Sequence, residues 1–235
     1  MKVQYVSDIH LEFRKSYEIQ RIHDARVLVL AGDICTYKTI WKLDRFLDCV
    51  VSAFNNVVYV PGNHEYYGNV PMSNVDHALE SICQSRGVHF LNNSSVDLEG
   101  VSFLGTTLWF ESMRWSDNLA DFDQIQFEHR YAKCTEFLVT ELAKPGQKLV
   151  VTHHLPSYEC IAPEHIGHPL NEFFASSTIE TLKLDGNCVP WWICGHSHGR
   201  WDVSVQGIRV VRNAIGYPGE RINANVNTSL EYNQL

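Results

Sequence analysis

The chain has 235 residues, of which 45% are hydrophobic, and a formal net charge of −8. That length and apolar content suffice for one large core, and the acidic balance argues against nucleic acid as a partner. Seven scattered cysteines without a CxxC pair argue against a disulfide framework, and no apolar run reaches the ~18 residues of a membrane span, so we expect a soluble cytoplasmic protein with no membrane partner.

Short apolar runs alternate with helix-like stretches along the chain. Five runs have the length and β-branched content of buried strands and end in a polar turn; they lie within 2–10, 26–34, 56–65, 147–156 and 189–198. Apolar spacing and capping signals predict helices over 37–54, 72–87, 128–146 and 176–186, with Ser73 as the N-cap of the second. Hairpins are predicted over 96–110 and 200–216, turning at Glu99-Gly100 and Gln206-Gly207.

Strand–helix units combined with hairpins predict an α/β fold with mixed rather than purely parallel pairing. No linker rich in Pro, Gly or Ser divides the chain, so we predict a single domain over 1–235. Segments 110–128 and 155–175 lack clear periodicity. Long loops of this kind often form lids or binding walls, and we expect these two to set specificity.

The polar ends of the five runs concentrate possible metal ligands. They read Asp8-Ile9-His10, Gly32-Asp33, Gly62-Asn63-His64-Glu65, His153-His154 and Gly195-His196-Ser197-His198, and they hold six of the 12 histidines. Ligands of open α/β sheets gather at the carboxyl ends of the strands. The pattern therefore predicts one site built from all five ends.

Seven of these side chains offer oxygen or nitrogen donors, enough for two metal ions that share the carboxylate of Asp33: Asp8, His10, Asp33, Asn63, His153, His196 and His198. Imidazole and carboxylate suit Mn, Fe, Zn, Ni or Co, and the lack of cysteine in the set argues against a structural zinc site. Two divalent cations outweigh the charge of two carboxylates, so we expect a phosphoryl group as the guest. Paired metals about 3.5–4 Å apart stabilise both oxygens of an in-line displacement.

The motifs D-x-H, G-D, G-N-H-[DE], H and G-H-x-H follow one another from residue 8 to residue 198, and with them the chain resembles the calcineurin-like metallophosphoesterase superfamily. The resemblance implies a four-layer α/β/β/α sandwich with two mixed β-sheets and a metal site at the carboxyl ends of the strands. It implies two divalent ions, one held by Asp8, His10, Asp33 and His198, the other by Asp33, Asn63, His153 and His196.

The resemblance gives His64 a different role. It implies that His64 faces the substrate as the catalytic residue, steadies the phosphoryl oxygens and helps to protonate the leaving group. In the Thr152-His153-His154 stretch it favours His153 over His154, because the family usually has the ligand directly after the small strand-end residue.

Departures from the family pattern exclude two branches of the superfamily. The Ser/Thr protein phosphatases carry G-D-x-x-D-R-G, whereas the second motif here is GDICTYK, which lacks the phosphate-gripping Arg and the Asp that orients the catalytic His. Purple acid phosphatases have a Tyr where this chain has Thr36 and lack the His of the first motif, which is His10 here. Neither branch fits, and what orients His64 is left open.

We therefore expect a dinuclear, metal-dependent hydrolase of phosphoester bonds. The missing Arg favours a phosphodiesterase acting on a small-molecule or nucleotide substrate. Two alternatives stay open, namely a phosphomonoesterase of the same fold and a non-catalytic protein-binding scaffold, although the complete ligand set argues against the scaffold. A nuclease is disfavoured by the net charge. The native metal, manganese among the candidates, and the oligomeric state are left open.

Overall fold

The computed structural model describes residues 1–111, 121, 125, 130–220, 222–224 and 228–231. The strands of this part are β1 (Lys2–Val6), β2 (Ala25–Ala31), β3 (Asn56–Val60), β4 (His89–Phe90), β5 (Ser94–Leu98), β6 (Val101–Thr106), β7 (Gln147–Thr152), β8 (Trp191–Cys194), β9 (Gly199–Val205), β10 (Ile208–Ala214) and β11 (Ser229–Glu231). Its α-helices are α1 (Trp41–Ala53), α2 (Met72–Gln84), α3 (Arg130–Leu142) and α4 (Thr178–Thr181).

The strands form two mixed sheets, as predicted. The first has the order β11-β1-β2-β3-β4, in which β1 to β4 run parallel and β11 is antiparallel to β1. The second has the order β5-β6-β7-β8-β10-β9, in which β6, β7, β8 and β10 run parallel and the two edge strands are antiparallel. Both hairpins are therefore confirmed, and each supplies an antiparallel edge of the second sheet.

The two sheets pack face to face, with helices outside. Val27 and Val29 of β2 pack against Phe103 and Val151 of the second sheet, whereas Leu28 and its same-face neighbours pack in the outer core with the apolar side of α1. Helix α3 packs on β6 from the other side. A strand that is buried on both faces needs apolar residues at every position, which explains the continuous runs seen in the sequence. The four-layer arrangement is confirmed.

Several helix boundaries depart from the prediction. Helix α1 begins at Trp41 rather than 37, α2 ends at Gln84 rather than 87, and α3 ends at Leu142 rather than 146. Helix α2 begins at Met72 after Pro71, so Ser73 lies within its first turn and does not cap it. Helix α4 covers four residues rather than the predicted 176–186, because Lys183 adopts a left-handed φ of 52°. Beyond that residue the chain joins the turn of the β9–β10 hairpin, where the Gly186 N–H donates to the Gln206 carbonyl at 3.2 Å.

Parallel pairing brings the carboxyl ends of the central strands to one edge. Val6 of β1 pairs with Leu30 of β2, and Ala31 pairs with Val60 of β3. The second sheet is tied to the first at this edge by a bridge between Ser7 and Ala214. All five polar turns therefore meet between the sheets. No helix within the described ranges is long and apolar enough to span a bilayer.

Candidate metal centre

Left-handed backbone aims the polar side chains of the strand ends into one space. Asp8, His10, Asp33 and His196 have φ values of 55°, 51°, 55° and 66°. Such a conformation costs a non-glycine residue about 1–3 kcal/mol and persists only where its surroundings fix it. Four strained residues at one edge indicate a functional site rather than ordinary turns.

Two glycines permit the close approach of these turns. A Cβ atom at Gly62 would overlap Oδ1 of Asp33, and one at Gly32, whose φ is 86°, would overlap the ring of His153. Only a residue without a side chain lets the second and third motifs and His153 lie so close together.

Glu65 joins the turns of the second and third motifs. Its buried carboxylate accepts hydrogen bonds of 2.6–3.3 Å from five donors, which are the N–H groups of Asp33, Ile34, Cys35 and Gly62 and the hydroxyl of Tyr59. Burial and the charge of Asp33 raise the pKa of this carboxyl group. The last residue of the third motif thus holds Asp33 and Asn63 in register.

Replacement of Glu65 by Gln should destabilise the fold and the site together. Both carboxylate oxygens face N–H donors, so the amide of a glutamine points its NH2 at groups that need an acceptor. Each buried donor left unpaired costs about 1–3 kcal/mol. We expect Glu65→Gln to lower the denaturant midpoint and the apparent metal affinity, whereas Glu18→Gln at an exposed position should change neither. Unchanged stability would show that these hydrogen bonds are not needed.

The first cluster of donor atoms contains Asp8, His10 and His198, whose ligand atoms lie within 4.8 Å of one another. Nε2 of His10 lies 3.2 Å from Nε2 of His198, which in turn lies 3.7 Å from Oδ1 of Asp8. Oδ2 of Asp33 is 4.0 Å from the same nitrogen of His10. The four residues that the resemblance assigns to one metal are therefore neighbours.

The second cluster contains Asp33, His153 and His196, again within 4.8 Å of one another. Nε2 of His153 lies 3.0 Å from Oδ1 of Asn63 and 3.3 Å from Oδ1 of Asp33. His154 differs, since its Nδ1 lies 3.2 Å from the carbonyl oxygen of Thr107. Asp33 stands between the two clusters, where a shared ligand belongs, and His153 rather than His154 faces it.

His64 lies beside both clusters and borders the open space in front of them. Its Nε2 is 3.9 Å from Oδ2 of Asp33 and 3.3 Å from the hydroxyl of Tyr217. Its Nδ1 is 3.0 Å from Oε1 of Glu12, and its ring packs on that of Tyr67 at 4.4 Å. The imidazole is thus held at Nδ1 by Glu12, and its Nε2 lies between the hydroxyl of Tyr217 and the carboxylate of Asp33.

Outer partners orient the candidate ligands. Nδ1 of His198 is 2.6 Å from Oε2 of Glu220, and Nδ1 of His153 is 2.9 Å from the carbonyl oxygen of Ala31. The amide nitrogen of Asn63 donates to Oδ1 of Asp121 at 2.9 Å, which turns the amide oxygen toward His153. Sequence reasoning missed Glu12, Glu220 and Asp121. Glu12 alone had a local signal, its position two residues after His10.

The charges of the site are strongly coupled. Burial opposes the charge of Asp33, but His153 and His64 outweigh it and hold the pKa of this carboxyl group well below its usual range. Burial likewise lowers the pKa of His64, yet Asp33 and Glu12 raise it to about 9. Burial together with His154 and His153 holds the pKa of His196 well below its usual range, which keeps that imidazole in the neutral form that binds metals.

The donors fit a divalent cation. Oδ1 of Asp8 is buried and has no hydrogen-bond partner in the described part of the chain. Two ring nitrogens, those of His10 and His198, face each other at 3.2 Å beside it. A buried carboxylate oxygen without a partner is costly, and a cation satisfies it and both imidazoles at once.

The comparison with known families agrees with this geometry. Residues 1–200 match the family model described as calcineurin-like phosphoesterase. The chain belongs to the calcineurin-like phosphoesterase family. The resemblance drawn from the motifs is confirmed, and the protein is a metal-dependent phosphoesterase.

Relatives and structural neighbours of this phosphoesterase align with at least 92% of its length. An uncharacterized protein of Acanthamoeba polyphaga mimivirus is 27% identical, with 99% of this chain and 97% of that protein covered. The solved structure of phosphopantetheinyl hydrolase from Mycobacterium tuberculosis has a TM-score of 0.69 at 18% identity, covering 92% of this chain and 90% of that one. A putative 5'-nucleotidase from Staphylococcus aureus has a TM-score of 0.56 at 14% identity, covering 92% of this chain and 49% of that one. At these identities the two structures show a shared fold.

A cavity of about 760 Å³ opens in front of the candidate metal centre and includes Asp33, Asn63, His196 and His198 in its lining. It is lined by His64 and Tyr217 and also by Ile161, Leu170 and Phe174. These three come from the 155–175 segment, which the sequence predicted as a lid or binding wall. Most of the other predicted wall, 110–128, lies outside the described residues.

Proposed function

We propose that this phosphoesterase is a dinuclear phosphodiesterase for small-molecule or nucleotide substrates. In this proposal Asp8, His10, Asp33 and His198 hold one divalent ion, and Asp33, Asn63, His153 and His196 hold the other. The observation that carries it is the meeting of two donor clusters on either side of Asp33, at one edge of the paired sheets. The donors suit Mn, Fe, Zn, Ni or Co, and Mn²⁺ is the first ion to test.

The protein's own residues prepare a substrate for attack by water. When bound, two divalent cations supply positive charge for the phosphoryl oxygens and lower the pKa of the attacking water. The buried ligands keep those charges in a setting where electrostatic attraction is strong. Glu65 holds the two turns that carry Asp33 and Asn63, so the site needs little rearrangement before reaction.

His64 acts on the leaving group. Burial lowers the pKa of its ring, but the carboxylates of Asp33 and Glu12 raise it to about 9, and the residue lines the cavity. Water attacks phosphorus and releases a proton to solvent, the bond from phosphorus to the leaving oxygen breaks, and that oxygen takes the proton from Nε2. The product alcohol leaves through the cavity, and the ring regains a proton from solvent.

The cavity walls support a diester rather than a monoester. Besides the candidate ligand Asp33, the carboxylates of Asp121, Glu164 and Glu220 line the cavity. A monoester carries up to two negative charges and a diester one, so nearby carboxylates oppose the monoester more strongly. The second motif, GDICTYK, also lacks the arginine that would grip the additional charge.

A pair of substrates with the same leaving group tests this choice. The protein is loaded with Mn²⁺, and kcat/KM is measured on bis(p-nitrophenyl) phosphate and on p-nitrophenyl phosphate. We expect the higher value on the diester. A higher value on the monoester would support the phosphomonoesterase alternative. Protein that binds no metal after Mn²⁺ loading and hydrolyses neither compound would support the scaffold.

We also propose that 1–235 is one domain and that the protein works in the cytoplasm. Packing of both sheets in shared apolar cores supports a single unit. All seven cysteines are free thiols, as expected of a reducing compartment.

A further inference from the structure

Glu12 contacts two imidazoles of the site, those of the candidate metal ligand His10 and the candidate acid His64. Its Oε1 is 3.0 Å from Nδ1 of His10 and 3.0 Å from Nδ1 of His64. The two rings meet edge to face, with their centroids 4.5 Å apart. One carboxylate oxygen thus contacts both a candidate metal ligand and the candidate acid.

The fold delivers Glu12 to this position from the first motif. The left-handed backbone of His10 leads into a single helical turn, Leu11–Phe13, which folds Glu12 back toward the ring of His10. Its side chain is only 8% exposed. Its other oxygen, Oε2, is buried without a hydrogen-bond partner in the described part of the chain. Burial of a carboxylate is unfavourable unless hydrogen bonds or ion pairs compensate for the lost solvation. Among the described residues, the side-chain partners of Glu12 are the two imidazoles.

This contact selects one form of each ring. A carboxylate oxygen has two lone pairs, so it can accept from both Nδ1–H groups at once. With a proton on Nδ1, the neutral ring keeps its free electron pair on Nε2. Nε2 of His10 then faces the first donor cluster. Nε2 of His64, a residue that lines the cavity, lies 3.3 Å from the hydroxyl of Tyr217 and 3.9 Å from Oδ2 of Asp33.

Other histidines of the centre have separate partners. Nδ1 of His198 contacts Glu220, and Nδ1 of His153 contacts the carbonyl oxygen of Ala31. Among the described residues, Glu12 is the carboxylate that lies within hydrogen-bond distance of Nδ1 of both a candidate ligand, His10, and His64. Glu220 therefore provides a matched comparison, because it orients a candidate ligand without touching His64.

We propose that Glu12 is a positioning residue that holds His64 with Nε2 directed at the leaving oxygen and fixes His10 in the same hydrogen-bonded unit. The inference rests on the proposed function. In the step that it supports, the leaving oxygen gains the proton of Nε2 as its bond to phosphorus breaks. The Nδ1–H group of His64 remains bound to Glu12, so the ring returns to the neutral form in its original orientation.

Leaving-group dependence separates this role from a structural one. At saturating Mn²⁺, kcat is measured on bis(p-nitrophenyl) phosphate, whose leaving group needs little help from an acid, and on diphenyl phosphate, whose leaving group needs it. We expect Glu12→Ala to lower kcat on diphenyl phosphate by ~10²–10⁴-fold, which is the usual contribution of acid catalysis to the rate. On bis(p-nitrophenyl) phosphate we expect kcat to fall far less. Glu12→Gln, which keeps an acceptor oxygen, should recover part of the loss.

The Glu220→Gln variant is the control. It should weaken Mn²⁺ binding by about 10–100-fold, as is usual for the outer partner of a metal-bound histidine. At saturating metal it should change kcat by the same factor on both diesters. An equal change on both diesters in Glu12→Ala, without recovery in Glu12→Gln, would overturn the inference.

A spectroscopic measurement keeps the test valid if Glu12→Ala does not fold. Long-range ¹⁵N–¹H NMR of the metal-free protein at alkaline pH should show the Nδ1–H form of His64 in the wild type. In Glu12→Gln we expect a mixture with the Nε2–H form, and an unchanged His64 spectrum would contradict the proposal. Wild-type protein that cleaves neither diester would defeat the proposed function itself, whereas a wild-type activity without these differences defeats only the role of Glu12.

Discussion

Asp33→Asn should abolish turnover and weaken both metal sites at once. The Asp33 carboxylate lies between the donor clusters, with Oδ1 3.3 Å from Nε2 of His153 and Oδ2 4.0 Å from Nε2 of His10. An amide keeps the shape but loses the charge and one acceptor oxygen. Loss of an outer partner already lowers metal affinity by about 10–100-fold, so loss of a shared ligand should cost at least about 100-fold at each site. Titration calorimetry with Mn²⁺ measures both affinities.

Asp24→Asn is the control for this change. Asp24 also has a left-handed backbone, with φ 64°, but its side chain is 73% exposed and lies outside the centre. It should bind metal and turn over as the wild type does. An Asp33→Asn protein that keeps two tightly bound ions would contradict the assignment of Asp33 as the shared ligand.

His64→Ala should leave metal binding intact and lower the rate. In the proposed function His64 contributes a proton and no ligand atom, so its loss removes the acid while both donor sets remain. We expect kcat on diphenyl phosphate to fall by ~10²–10⁴-fold, with a smaller fall on bis(p-nitrophenyl) phosphate. The measurement is kcat on both diesters together with metal content after gel filtration.

His23→Ala serves as the control for the removal of an imidazole. The side chain of His23 is 91% exposed and pairs with Asp24 on the surface, so this variant should match the wild type in metal content and rate. The His64→Ala test can contradict the assignment, because His64 also belongs to a third donor cluster, with His10 and Asp33, and could therefore bind metal itself. Loss of bound metal from His64→Ala would make His64 a ligand and remove its assignment as the acid.

The positions of the predicted ligands followed from local sequence rules. Parallel strands must end at a common edge, so polar residues directly after Val6, Ala31 and Val60 had to meet once these strands paired in register. Both hairpins could also be predicted from the sequence. The pairs Glu99-Gly100 and Gln206-Gly207 are typical of two-residue turns, and they carry the positive φ values that such turns require.

Local sequence rules could not predict the residues that orient the candidate ligands and His64. Asp121 reaches Asn63 across 58 residues of sequence, and Glu220 reaches His198 across 22, and neither contact has a periodic or motif signal. The sequence left open what orients His64, and the contact with Glu12 depends on the left-handed turn at His10, which propensities do not reveal. The predicted helix over 176–186 was too long, because contacts with distant parts of the chain end it early. Its buried Thr178 and the contact of Gly186 with Gln206 are tertiary effects.

Metal stoichiometry tests the central claim most directly. Purified protein is freed of metal with a chelator, loaded with Mn²⁺ and passed through a desalting column, and the bound metal per chain is measured by mass spectrometry alongside hydrolysis of bis(p-nitrophenyl) phosphate. A dinuclear phosphodiesterase predicts two ions per chain, no hydrolysis by the metal-free form, and recovery of activity as the second ion binds. A chain that binds no metal and cleaves no diester would contradict the account.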